Sequence, residues 1–72
     1  MIEIFKTNIT KRAVSKRVTK HLLEILPHAS INFDLEDCDK ILRVENSLQN
    51  FMTQQIIESV EKLGFECEVL EG

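Results

Sequence analysis

Hydrophobic and polar residues alternate in four short segments of the chain, and each segment predicts a β-strand. In the first, isoleucines alternate with a glutamate ahead of a phenylalanine, which predicts a strand over residues 2–7. Residues 31–36 and 41–44 also alternate, and the polar tetrad at 37–40 between them predicts a hairpin turn. The alternation of residues 65–70 predicts a fourth strand at the end of the chain.

Two segments between these strands have the apolar spacing of helices. The first has an inward stripe with spacings of four, four and three, formed by Val14, Val18, Leu22 and Ile25. Thr10 is its predicted N-cap, and it should end before Pro27. The second has a longer stripe with Phe51 and Ile57 beside it, formed by Leu48, Met52, Ile56, Val60 and Leu63. Asn46 and Ser47 can cap its start, and Gly64 occupies its C′ position.

The resulting order, βαββαβ, contains two interleaved crossovers, each of which must be right-handed. It predicts a ferredoxin-like α+β sandwich: a four-stranded antiparallel sheet in the order 4-1-3-2 with both helices on one face. A length of 72 residues allows one domain, over 1–72. The pattern places seven residues on or near the open face of the sheet: Glu3, Phe5, Asp34, Ile41, Arg43, Glu66 and Glu68.

The net charge of -3 is the sum of a basic N-terminal segment and an acidic remainder. Residues 1–23 carry +5, whereas residues 24–72 carry -8. Lys11 and Arg12 lie in the predicted first turn of the first helix, where the helix dipole favours acidic residues, and Arg12, Lys16 and Lys20 follow at i, i+4. Such breaks of local rules suggest a functional surface. The alternative is a solvated face whose charge penalties salt removes.

Five segments of the chain match one known family in order and spacing. They are the opening Phe5–Thr10, the entry Ile9-Thr10 into the first helix, the run Val14–Leu22, the segment Asp39–Leu42 and the ending Val60–Leu70. Through them the chain resembles the heavy-metal-associated domain of small copper chaperones and of the N-terminal modules of metal-pumping ATPases. The resemblance covers nearly all of the chain and implies the same ferredoxin-like fold.

The metal motif of that family is Met-Thr-Cys-x-x-Cys, in which two thiolates hold a soft ion such as Cu(I). In this chain Lys11 occupies the first cysteine position and Val14 the second. Neither ligand is present, so we expect no metal at the family site and no cofactor. The resemblance instead implies docking on an acidic protein partner, with five candidate contact residues: Lys6, Lys11, Arg12, Lys16 and Lys20.

The two cysteines, Cys38 and Cys67, belong to no ligand motif. The predicted strand order separates them by three strand spacings, roughly 14 Å, which excludes a disulfide or a shared intramolecular site. We expect Cys67 to be buried and Cys38 to be exposed. An alternative function remains open, in which one of the two cysteines binds copper or zinc across a homodimer.

Other function classes are disfavoured by what the sequence lacks. It contains no catalytic triad, no paired catalytic carboxylates and no glycine-rich phosphate loop, and neither His21 nor His28 has a carboxylate placed to orient it. We therefore expect no enzyme. Apolar runs of two residues at most argue against a membrane span, and the lack of a secretory signal makes the cytoplasm the expected location. Nucleic-acid binding is disfavoured because only Phe5 offers a stacking ring on the sheet.

Overall fold

A computed structural model describes residues 2–45 and 53–70 of the chain, which form the predicted βαββαβ order. The elements are β1 (Ile2–Thr7), α1 (Arg12–Ile25), β2 (Ser30–Asp34), β3 (Ile41–Glu45), α2 (Thr53–Lys62) and β4 (Cys67–Val69). The antiparallel strands are ordered β2-β3-β1-β4, which is the predicted order counted from the other edge. The α+β fold is thus confirmed. The predicted cap and part of the stripe of the second helix lie outside the described residues: Asn46, Ser47, Leu48, Phe51 and Met52.

One face of the sheet forms the core with both helices. The register aligns Phe5 with Leu42 and with Val69, and Leu42 with Phe33, so these side chains share that face. Helix α1 covers it with its predicted stripe, and α2 covers it with Ile56 and Val60, which belong to the described part of its stripe. The largest fully buried side chains are Phe5, Ile9, Val18, Leu22, Leu42, Val44, Ile56 and Val60. Each contributes about 1.5–3 kcal/mol by its removal from water.

The predicted orientation of β1 is wrong. Phe5 is fully buried in the core, and Glu3 shares its face, whereas Ile2, which is 54% exposed, and Ile4 occupy the open face. Two alternations overlap in the first strand, one through Ile2 and Ile4 and the other through Phe5. The second prevails because it buries the large phenylalanine ring. Glu3 has a partner on the helix side, because its carboxylate accepts a 2.6 Å hydrogen bond from the Thr53 hydroxyl. The burial of Phe5 also removes the only proposed stacking ring for nucleic-acid binding.

Four of the remaining residues predicted for the open face fit the observed register, namely Asp34, Ile41, Arg43 and Glu68, whereas Glu66 precedes β4. Lys6 is aligned with both Ile41 and Glu68, and Ile41 is aligned with Asp34, so these four share the face opposite the core. Arg43 follows two residues after Ile41 and is exposed. Ile41 itself is only 6% exposed.

The predicted role of Gly64 is confirmed by its backbone geometry. Gly64 has φ +96°, and its amide donates to the Glu61 carbonyl at 2.9 Å. The amide of the next residue, Phe65, reaches the Val60 carbonyl at 3.3 Å, which completes a Schellman motif. The chain thereby turns sharply from α2 into β4. Neither helix in the described ranges is long and apolar enough to cross a membrane.

Candidate functional site

Three connections meet at one end of the sheet, which we call the loop end: residues 8–11, 35–40 and 63–66. The Thr7 amide donates to the Asp39 carbonyl at 3.1 Å, which joins β1 to the hairpin. The Glu66 amide donates to Asn8 Oδ1 at 2.8 Å, which joins the turn after α2 to the start of the β1–α1 loop. The loop end is therefore a connected surface.

Thr7 fixes the path of the chain into α1. Its buried hydroxyl donates to the Lys40 carbonyl at 2.6 Å and accepts from the Ile9 amide at 3.2 Å. Ile9 is fully buried in the core. The loop that leads to the first helix is thus held both by hydrogen bonds and by packing. The sequence gives no advance sign of this role, because it depends on the hairpin lying beside β1.

The start of α1 is cationic and lacks a side-chain cap. Lys11, with φ -105° and ψ 134°, is the N-cap residue and makes no side-chain cap hydrogen bond. The predicted N-cap, Thr10, is therefore wrong by one residue. Lysine has no acceptor atom for the free amides of the first turn, and Arg12 adds a second positive charge at the positive end of the helix dipole. Relative to a good cap, this arrangement costs α1 about 0.5–2 kcal/mol.

Four of the five predicted contact residues lie on α1 or at its N-cap. Lys11, Arg12, Lys16 and Lys20 are all exposed. Within residues 2–45 and 53–70, no carboxylate oxygen lies within 4.0 Å of any of their charged nitrogens. The cationic charge of this surface is thus not neutralised by a neighbouring side chain in that part of the structure.

Lys6 is separated from the other four. It lies on the open face of the sheet, and its Nζ is 3.8 Å from Asp39 Oδ1. It also lines a cavity of about 320 Å³ together with Thr7, Glu61, Glu66, Cys67 and Glu68. The surroundings of Lys6 are therefore acidic, in contrast to those of the α1 residues.

The two positions that the resemblance aligns with the cysteines of the metal motif differ in exposure. Lys11 is exposed at the N-cap, whereas Val14 is half-buried and packs against the core. Val14 belongs to the inward stripe of α1, as its spacing predicts. A side chain at position 14 thus points partly into the core rather than fully toward solvent.

Cys67 is an unreactive thiol in its surroundings. It is 6% exposed, and burial, with added repulsion from Glu61 and Glu68, raises its pKa to about 12. The thiolate that a soft metal or a nucleophilic reaction needs is therefore disfavoured at neutral pH. The predicted burial of Cys67 is confirmed.

Cys38 is exposed, as predicted, and lies between two carboxylates in the hairpin. Ligand atoms of Asp37, Cys38 and Asp39 all lie within 4.8 Å of one another. The backbone turn explains this grouping, because the Asp39 amide donates to Asp37 Oδ1 at 2.9 Å. Both cysteines are free. Cys38 lies in the hairpin next to the edge strand β2, whereas Cys67 lies on β4, the strand at the other edge of the sheet.

Two features near the end of α1 were not predicted. Glu24 Oε1 lies 4.0 Å from His21 Nδ1, which is beyond hydrogen-bond distance, so this carboxylate approaches the imidazole without orienting it. Leu23 is 37% exposed and lies beside Lys16 and Lys20 in a shallow depression of about 460 Å³. Leu23 is not part of the inward stripe of α1, so its spacing indicates an outward side chain.

Comparison of the chain with known proteins yields no relative. No protein-family model, no curated protein and no solved structure matches it. The resemblance to the heavy-metal-associated domain therefore rests on the sequence segments quoted above.

Proposed function

We propose that this chain is a non-enzymatic binding module, related to the heavy-metal-associated domain but without its Cys-x-x-Cys site, that docks on an acidic protein partner. The docking surface is the basic start of α1: Lys11, Arg12, Lys16 and Lys20. The fifth predicted contact residue, Lys6, lies apart from them on the open face of the sheet. The observation that carries the proposal is that α1 begins with an uncapped, cationic turn. Two free thiols in the chain suit the reducing cytoplasm, where we place the protein.

The energetics of α1 support a binding role for its basic residues. Arg12, Lys16 and Lys20 repel one another at i, i+4 by about 0.2–0.5 kcal/mol per pair, and no carboxylate in the described ranges offsets this repulsion. A partner's carboxylates would remove it. They would also meet the free amides at the start of α1, which attract anions.

The distribution of charge favours one orientation of approach. The first 23 residues carry +5 and the rest of the chain carries -8, so the molecule is an electric dipole with its positive region around α1. An acidic protein is attracted to that side and repelled by the other. Lys6 contributes less than the α1 residues, because Asp39 lies 3.8 Å from its ammonium.

The test compares two double variants that remove equal charge. Lys16→Gln with Lys20→Gln alters the α1 surface, and Arg43→Gln with Lys62→Gln removes two exposed cations elsewhere. The immobilised proteins are exposed to a lysate of the source cells at about 50 mM and about 300 mM salt. The retained protein is identified, purified and titrated again.

We expect an acidic protein that is retained at low salt, released at high salt and lost only by the α1 variant. Absence of any salt-sensitive partner contradicts the proposal. Equal loss in both variants also contradicts it, because net charge alone would then explain the binding.

A second candidate function, soft-metal binding, is favoured by the hairpin cluster. One sulfur and two carboxylates lie within 4.8 Å in Asp37, Cys38 and Asp39, and a second copy of the chain would complete the coordination. Cys67 is disfavoured as the ligand because burial keeps it protonated. Equilibrium dialysis with Cu(I) or Zn(II) under reducing conditions separates the two functions. Stoichiometric uptake by the parent that Cys38→Ser abolishes and Cys67→Ala retains would establish metal binding.

A further inference from the structure

The basic surface of α1 contains one large apolar side chain that is not part of the core, Leu23. Leu23 is 37% exposed, and Lys16, Thr19, Lys20 and Leu23 follow the i, i+3, i+4, i+7 pattern that aligns residues along one helical stripe. The inward stripe of Val18 and Leu22 lies on a different side of α1. Leu23 therefore lines a shallow depression together with the side chains of Lys16 and Lys20.

We propose that the docking surface recognises an acidic amphipathic segment of its partner, in which one apolar side chain covers Leu23 while carboxylates on either side reach Lys16 and Lys20. This inference rests on the proposed function and specifies the chemistry of the partner. Charge selects the occupant, because Lys16 and Lys20 have no carboxylate within 4.0 Å in the part of the chain that the structure describes. Glu24, which also lines the depression, lies 4.0 Å from His21.

An anionic membrane fits this surface less well than a protein segment. A helix that lies on a membrane needs a broad apolar face, and α1 has turned that face into the core, with Val18 and Leu22 each 1% exposed. Leu23 is the one large apolar side chain of α1 that is exposed.

The test is a double-mutant cycle between the protein and a synthetic peptide. Two fluorescent helical peptides of about 14 residues carry the same glutamates, and one has a central leucine where the other has serine. Each is titrated by fluorescence anisotropy into the wild-type protein, Leu23→Ser and the control Ile2→Ser. Ile2 suits the control because it is also exposed but lies on the open face of the sheet. Circular dichroism checks that all three proteins fold.

We expect the leucine peptide to bind the wild type and Ile2→Ser about fivefold more tightly than the serine peptide. That ratio corresponds to removal of roughly 40 Å² of apolar surface from water. Leu23→Ser should bind the two peptides equally. Both peptides should be released as salt rises, because the lysines supply the electrostatic attraction.

Other results overturn the inference in distinguishable ways. If the wild type binds both peptides equally and salt releases them, the apolar contact is refuted while docking on acidic partners survives. If neither peptide binds at low salt, the proposed function fails as well. If Leu23→Ser abolishes binding to phosphatidylserine vesicles, or the control variant also loses discrimination between the peptides, the assignment of a protein segment to Leu23 is wrong.

Discussion

Raising the pH above 9 should destabilise the fold through a single buried thiol. Burial raises the pKa of Cys67 from 9.0 to about 12, so the folded protein keeps its proton at a pH where the unfolded chain has lost it. The pKa of the Cys67 thiol is thus higher in the folded state than in the unfolded state. The contribution of the neutral thiol to stability is therefore fully present below pH 9 and is lost as the pH rises toward 12.

The size of this loss follows from linkage. Each pH unit between the two pKa values costs about 1.4 kcal/mol of unfolding free energy. Between pH 7 and pH 10 the loss is about 1.4 kcal/mol in total, because the unfolded thiol titrates only above pH 9. At pH 10, any folded-state pKa above about 11 gives nearly the same loss. A domain of this length has roughly 4–11 kcal/mol of stability, so the change is readily measured.

Urea unfolding followed by far-ultraviolet circular dichroism measures the effect, since the chain has no Trp or Tyr for fluorescence. Wild type, Cys67→Ala and the exposed-thiol control Cys38→Ala are unfolded at pH 7 and pH 10 with a phosphine reductant. The comparison with Cys67→Ala subtracts every effect of pH on stability that does not come from the Cys67 thiol. Wild type and Cys38→Ala should each lose about 1.4 kcal/mol more than Cys67→Ala.

Equal losses in wild type and Cys67→Ala would refute the reasoning. That result would mean that the Cys67 thiol ionises as readily in the folded protein as in the unfolded chain. Cys67 would then become available as a metal ligand, and the soft-metal function would no longer depend on Cys38.

Four further outcomes are expected. The double change Lys11→Cys and Val14→Cys should create tight Cu(I) binding, because the helix dipole lowers thiolate pKa values. Competition with a chromogenic chelator measures the binding. A folded variant that binds Cu(I) no better than the parent would show that Lys11 and Val14 do not align with the two cysteines of the family motif. Gly64→Ala should cost about 1 kcal/mol in urea unfolding, all of it backbone strain, since φ is +96° and an added Cβ meets no atom within 4 Å. Lys11→Asp should stabilise the protein by about 1 kcal/mol through capping while weakening binding of the acidic peptides. The thermal midpoint should shift by less than a few degrees with reductant or chelator, and a larger fall would reveal a disulfide or metal.

The order of the helices and strands could be predicted because each hydrophobic periodicity fits only one type of secondary structure. The inward stripe of α1 and the glycine after α2 leave no competing assignment, and right-handed crossovers then determine the strand order. The orientation of β1 could not be predicted in the same way. Ile2 and Ile4 form one alternation, and Phe5 and Thr7 belong to the other, so only packing against the helices decides between them.

In the candidate site, too, helical spacing could be predicted from the sequence, whereas contacts that depend on tertiary packing could not. The spacing of Arg12, Lys16 and Lys20 follows from helical geometry and could be predicted from the sequence alone. The pairing of Lys6 with Asp39 could not, because it joins positions 33 residues apart through the register of the sheet. The exposure of Leu23 follows from helical geometry, because Leu23 is not part of the inward stripe of α1.

The hydrogen bonds of the Thr7 hydroxyl bear on the entropy of binding. They hold the chain between β1 and α1 against the hairpin, with Ile9 buried beneath it. Restricting one residue to a single conformation costs about 1–2 kcal/mol of free energy. In this loop the chain is already restricted when the protein folds, so binding a partner does not add that cost. A partner that reaches the start of α1 therefore meets a preorganised surface, and more of its contact energy remains available for affinity.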